Sequence, residues 1–201
     1  MFTPNARGRL FTVFRHPVDR AVSMFFYIQV ADWEPTYNPD LAKMTVSEYA
    51  LSPQIENNWM VRTLTQAYAG EVGEEHLKIA KDIIKRKFLV GLLKEKSETM
   101  ERVEKFFRFK FRVNPDNQEK CREKLLTGGS NSNSANKQEK PKKGDESYEL
   151  VAAQNVFDIQ LYEFIEEQFK EQANLFKDIP DGFRKEKASC AKCVPPTFPE
   201  L

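Results

Sequence analysis

Apolar positions along the chain recur with two periods. Residues 10–14, LFTVF, form a short apolar run that ends where polar residues begin, which reads as a buried strand. Pro17 suits the first position of a helix. Ala21, Met24, Phe25 and Ile28 then recur at helical spacing and predict a helix over residues 17–30 with one apolar face. Residues 32–40, with Pro35 and Pro39, read as a loop. Thr45 with Glu48 three positions on is a capping-box pattern for a short helix that Pro53 ends. Residues 57–68 return to helical register through Trp59, Met60, Leu64 and Ala67, with Gly70 and Gly73 as the stop.

Residues 74–86 predict an amphipathic helix with Leu77, Ala80, Ile83 and Ile84 on one side. Residues 88–93, FLVGLL, are nearly all apolar, as parallel strands covered on both faces tend to be. A helix over 97–109 follows, with Met100, Val103, Phe106 and Phe107 inward. Residues 127–146, TGGSNSNSANKQEKPKKGDE, carry almost no apolar content and read as a flexible insert. Residues 147–176 give the longest helical pattern, and the proline-bearing stretch 181–201 reads as an irregular tail. Two strands each followed by a helix, in an otherwise helical chain, predict a helix-dominated α/β fold with a small parallel sheet flanked by helices. The expected domain covers residues 1–180. Two strands are too few for a covered parallel sheet, so further strands are expected upstream of Met1.

Composition narrows the function. At 201 residues the chain can build one real core, and its 16 phenylalanines suit core filling. The formal charge of +1 supplies no global field for nucleic acid, so no nucleic-acid partner is expected and any anion site must be local. No apolar run approaches the ~20 residues that span a bilayer, and MFTPNARGRL lacks a signal-peptide pattern. This chain alone therefore reads as soluble, without a membrane segment. Cys121, Cys190 and Cys193 make an odd set with no disulfide framework. Cys190 and Cys193 form a lone CxxC. A zinc site needs about four ligands, and His16 and His76 are the only histidines, so no metal is expected. Nothing in the sequence fixes the oligomeric state.

The junction FRHPVDRAVSMFF, residues 14–26, carries the candidate chemistry. Ligands of open α/β sheets bind beyond the carboxyl ends of strands, where Arg15 stands. A helix opening at Pro17 directs free N–H groups and its positive dipole end to the same place. The Arg15 guanidinium offers a planar fork of donors for a phosphate. Ser23, two turns in, adds a hydroxyl, and Arg20 shares its face. The other reading is plain helix punctuation, with solvated charges and Ser23 bonded back to the Asp19 carbonyl.

Residues 15–23, RHPVDRAVS, resemble the R-[DH]-P-x-x-R-x-x-S segment of sulfotransferases that use 3′-phosphoadenosine 5′-phosphosulfate (PAPS). Further segments resemble the carbohydrate, Golgi-type branch in the family's order. They are Phe25-Phe26-Tyr27, the stretch ENNWMVRTL at 56–64, FLVGLLKE at 88–95, and NVFDIQLYEF at 155–164. The resemblance covers most of residues 10–172. It implies a partial P-loop-like sulfotransferase fold in which Arg15 and Ser23 hold the donor's 3′-phosphate. His16 stands where many members have Asp, and reads as a variant near the site rather than a base. Arg62 is a candidate contact to donor or acceptor, or else a surface arginine packing its stem on the helix.

In the family, a P-K-x-G-[ST]-like loop cradles the 5′-phosphosulfate and the base precedes the arginine–serine segment. The fourteen residues before Arg15 contain neither, so no catalytic residue is assigned in this chain. The resemblance implies sulfuryl transfer from PAPS to a hydroxyl, on a carbohydrate acceptor, by a full-length protein at the Golgi membrane. Two rivals are a catalytically inactive relative and a non-enzymatic helical module docking a partner through residues 147–176. A P-loop kinase would need G-x-x-x-x-G-K-[ST], which does not occur.

Overall fold

A computed structural model describes residues 10–107, 117, 120, 121, 123, 124 and 140–177. The tail 181–201 with Cys190 and Cys193, and positions 127–139 of the expected insert, lie outside the described residues. The described part is helix-dominated with a small two-stranded parallel sheet, a mixed α/β architecture. The described residues divide into two compact units, one from those within 1–13, 84–129 and 167–201, the other from those within 14–83 and 130–166.

The first unit holds the sheet, in which β1 (Leu10–Phe14) pairs with β2 (Phe88–Leu92). β2 is buried from Leu89 onward. β1 is not the fully buried strand its sequence predicts: Phe11 and Val13 are each 43% exposed. Side chains alternate across a strand, and β1 covers one face only. Helix α5 (Lys96–Phe107) packs on β2 through Val103, Phe106 and Phe107, together with Leu89 and Phe176. The approach is close enough that a Cβ on Gly91 would stand 2.4 Å from Thr99 Cγ2, so any larger residue there must push Thr99 aside.

Side chains close one edge of β2. In a parallel strand the N–H and C=O of alternate residues face the same edge. Val90 N–H donates to Gln172 Oε1 (2.9 Å), and Gln172 Nε2 donates to the Phe88 carbonyl (2.8 Å). Leu92 N–H donates to Thr99 Oγ1 (2.9 Å), whose hydroxyl donates back to the Leu92 carbonyl (3.0 Å). The Phe88 carbonyl, the Val90 N–H and both backbone groups of Leu92 thus find side-chain partners on that edge. The buried Arg102 stacks 3.7 Å from the Phe169 ring and donates to the Phe169 carbonyl and to Glu98.

The second unit is helical. Helix α1 (Pro17–Tyr27) inserts Val18, Ala21, Val22, Phe25 and Phe26 into a core shared with Leu41, Tyr49, Ala50 and Val151. α1 stops at Tyr27, short of the expected residue 30, where the chain turns into a hydrogen-bonded loop. A 3-10 turn (Pro39–Lys43) leads to α2 (Val46–Leu51). Thr45 and Glu48 form the expected capping box: Glu48 N–H donates to Thr45 Oγ1 and Thr45 N–H to Glu48 Oε2.

Helix α3 (Trp59–Thr65) is shorter at both ends than its sequence pattern. Asn58 before it and Gln66 after it both take left-handed φ, at 45° and 59°, so the helix is bounded before the glycines are reached. α4 (Glu74–Lys87) follows the predicted span. Residues 147–176 are not one helix. They divide into α6 (Glu146–Ala153), α7 (Val156–Gln172) and a 3-10 turn (Ala173–Phe176). The break falls at Asn155, whose side chain accepts from the backbone N–H of distant Asn58 while donating to the Val151 carbonyl. Residues 140–145, the end of the expected insert, form a turn in which Lys142 N–H donates to the Asp145 carboxylate (2.6 Å).

Candidate functional site

The β1–α1 junction is built by local chemistry. Pro17 occupies the first helical position, and the preceding His16 adopts extended geometry (ψ 132°) without giving the helix a side-chain cap. Its ring instead stacks on Tyr148, centroids 6.2 Å apart, and meets Tyr162 edge-on at 5.4 Å. Among the described residues, no N-cap side chain therefore takes the first-turn N–H groups of α1. Arg15 and Ser23 are both half-buried, and neither finds a hydrogen-bonding partner among the described residues. Asp19, exposed in the first turn, is the one acid there.

Arg20 goes elsewhere. It pairs with Glu56 (2.9 Å), and its guanidinium lies 4.4 Å from the centre of the Trp59 ring. Its Nε is buried and unpartnered among the described residues. Glu56 N–H in turn meets the Tyr49 hydroxyl at 3.4 Å. Burial pushes the Tyr49 hydroxyl pKa up.

Arg62 is occupied by its own loop. Nε donates to the Asn57 carbonyl and Oδ1, Nη1 to the Ala67 carbonyl (2.8 Å), and Nη2 to the Gly70 carbonyl (3.0 Å). All three guanidinium nitrogens serve to close residues 57–70, which is why the chain turns at Gln66.

Beside it lies an arrangement that sequence reading did not supply. Asp158, fully buried, accepts from Met60 N–H and Val61 N–H, both at 2.8 Å, and so caps α3 from another helix. Asn58 accepts from Phe157 N–H (2.9 Å) and Asp158 N–H (3.1 Å), and so caps α7. Asn155, also fully buried, accepts from Asn58 N–H (3.0 Å) and donates to the Val151 carbonyl (2.9 Å). Each helix thus receives its cap from the segment that opens the other. Burial raises the Asp158 carboxyl above its ordinary pKa, against the opposing pull of the two N–H groups and of Arg20 and Arg62.

Comparison with protein-family models, with curated proteins and with solved structures finds no match for this chain. The site is therefore read from its own geometry. The structure leaves Arg15, just before α1, and Ser23, two turns into it, half-buried with uncommitted donors among the described residues. It ties Arg20, Arg62, Asn58, Asn155 and Asp158 into internal hydrogen bonds. Among the described residues no three His, Cys, Asp or Glu gather as metal ligands. No helix there is long and apolar enough to cross a membrane.

Proposed function

We propose that this chain carries the 3′-phosphate-binding part of a PAPS-dependent sulfotransferase acting on a hydroxyl, with a carbohydrate as acceptor. The full-length protein would work at the Golgi membrane. The observation that carries the reading is the start of α1, which the His16 side chain does not cap, with Arg15 before it and Ser23 two turns in, both with donors that no described residue uses. That donor set fits a phosphate dianion: a guanidinium fork, a hydroxyl and helix N–H groups at the positive end of the dipole. Arg15 and Ser23 would hold the 3′-phosphate, and His16, packed between Tyr148 and Tyr162, fixes the backbone from which Arg15 extends. PAPS itself supplies the sulfuryl group and the bisphosphate leaving group.

The test is binding of adenosine 3′,5′-bisphosphate by isothermal titration. Arg15→Ala removes a charge-assisted pair worth roughly 1.5–3 kcal/mol, a weakening of about tenfold to a hundredfold. Ser23→Ala removes one neutral donor and weakens binding by about threefold to tenfold. Equal affinity in wild type and Arg15→Ala removes the assignment.

A second reading has its own observation. The reciprocal capping of α3 and α7, with the Arg62 loop closure, accounts for residues 57–62 and 155–158 by architecture alone. A folded chain that binds no adenosine 3′,5′-bisphosphate would favour a helical interaction module or an inactive relative.

A further inference from the structure

The loop after α1 closes on itself. Asn38 N–H donates to the Ile28 carbonyl at 2.8 Å, so residues 28–38 form a loop whose ends touch. Within it, Ala31, Glu34 and Tyr37 donate to the carbonyls of Tyr27, Ala31 and Glu34 at 3.0 Å each, and Ala31 is fully buried. The backbone is held, yet the loop turns its largest side chain outward: Trp33 is 72% exposed. Its ring stands edge-to-face against Tyr27, centroids 6.4 Å apart, and the Tyr27 hydroxyl donates to Glu34 Oε1 at 2.7 Å. Trp33 is thus buttressed from below and open above, with Val30 and Tyr37 also exposed on the loop.

The charges that the loop itself carries have one sign. Asp32 and Glu34 flank Trp33 in the chain, and residues 28–38 contain no Lys, Arg or His. Lys43, the next basic residue, is paired with Asp40 at 2.6 Å. The carboxylate of Glu34 is felt locally, since its hydrogen bond raises the Tyr27 hydroxyl pKa.

We propose that this loop receives a cationic side chain, lysine or arginine, presented by a basic polypeptide segment. An indole face attracts a cation through its quadrupole, and two adjacent carboxylates complete the complementarity. The same carboxylates repel sulfated or phosphorylated ligands. A neutral sugar could stack on the indole but would leave both charges without a counterpart. The inference does not rest on the donor-site reading.

The test titrates the full chain with a short peptide of alternating lysine and glycine, followed by calorimetry and tryptophan fluorescence. A glutamate–glycine peptide and a neutral tetrasaccharide serve as comparison ligands. The chain has two tryptophans, so Trp33→Ala leaves Trp59 as an internal control. The expected result is binding of the lysine peptide alone, with a fluorescence change that Trp33→Ala abolishes. Affinity should fall about threefold to tenfold in Trp33→Ala and further with added salt. Asp32→Asn combined with Glu34→Gln should weaken it comparably. Trp33 is mostly solvent-exposed, so its removal leaves folding intact. The proposal is overturned by equal affinity in Trp33→Ala, by no binding at millimolar peptide, or by tighter Trp33-dependent binding of the neutral tetrasaccharide.

Discussion

Asp158→Ala tests the reciprocal capping of α3 and α7. The substitution strands two buried donors, Met60 N–H and Val61 N–H, each held at 2.8 Å. An unsatisfied buried donor costs about 1–3 kcal/mol, and loss of a helix cap typically costs about 1 kcal/mol. Relief of the desolvated carboxylate offsets part of this, since burial works against its charge. The net expectation is a loss of about 2–4 kcal/mol, read as a shift in the urea midpoint by circular dichroism. Asp158→Asn keeps one acceptor oxygen and should lose about half as much. Asn58→Ala removes the other half of the exchange, the acceptor of Phe157 and Asp158 N–H. The two substitutions share one structure, so the double variant should lose at least about 0.5 kcal/mol less than the sum of the singles. A loss below about 1 kcal/mol in Asp158→Ala, or strict additivity with Asn58→Ala, would refute the reasoning.

Two further outcomes follow from the geometry. Because burial raises the Asp158 pKa in the folded state, folding takes up a proton. Its stabilising contribution is full below the unfolded carboxylate pKa of about 3.9 and is lost as pH rises through the raised folded value. The stability of wild type relative to Asp158→Asn should therefore rise as pH falls from neutral into that range, and the opposite slope in urea midpoints would contradict it. Gly91→Ala brings a Cβ to 2.4 Å from Thr99 Cγ2 and should cost about 1–3 kcal/mol. Thr99→Ser deletes that methyl while keeping the hydroxyl on Leu92, so the double variant should recover most of the loss by thermal melting; no recovery would place the strain elsewhere.

Local chemistry was legible in the sequence and distant chemistry was not. The Thr45–Glu48 capping box, the start of α1 at Pro17 and the span of α4 depend on residues three or four apart. α3 ends before Gly70 because Arg62 closes the turn, through carbonyls up to eight residues along the chain. The long pattern over 147–176 is continuous in hydrophobicity, yet Asn155 interrupts it to meet Asn58, 97 positions earlier. No period in either segment announces that contact. β1 read as buried from its apolar run, but a run of five cannot say whether a second layer covers it. The edge closure of β2 rests on Gln172, which sequence alone presents as an ordinary helical glutamine. At the candidate site, the order of strand, arginine and helix-opening proline is readable in the sequence. What was not readable is that Arg20, one turn from Ser23 on α1, is spent on Glu56 and Trp59.

The central claim is that the start of α1 recognises a ribose 3′-phosphate. The most direct measurement compares the affinity of the wild-type chain for adenosine 3′,5′-bisphosphate with that for adenosine 5′-monophosphate, which lacks only the 3′-phosphate. The account predicts that the bisphosphate binds at least about tenfold more tightly, and that Arg15→Ala narrows the difference by about tenfold or more. Equal affinity for the two nucleotides, or a preference undiminished in Arg15→Ala, would contradict it.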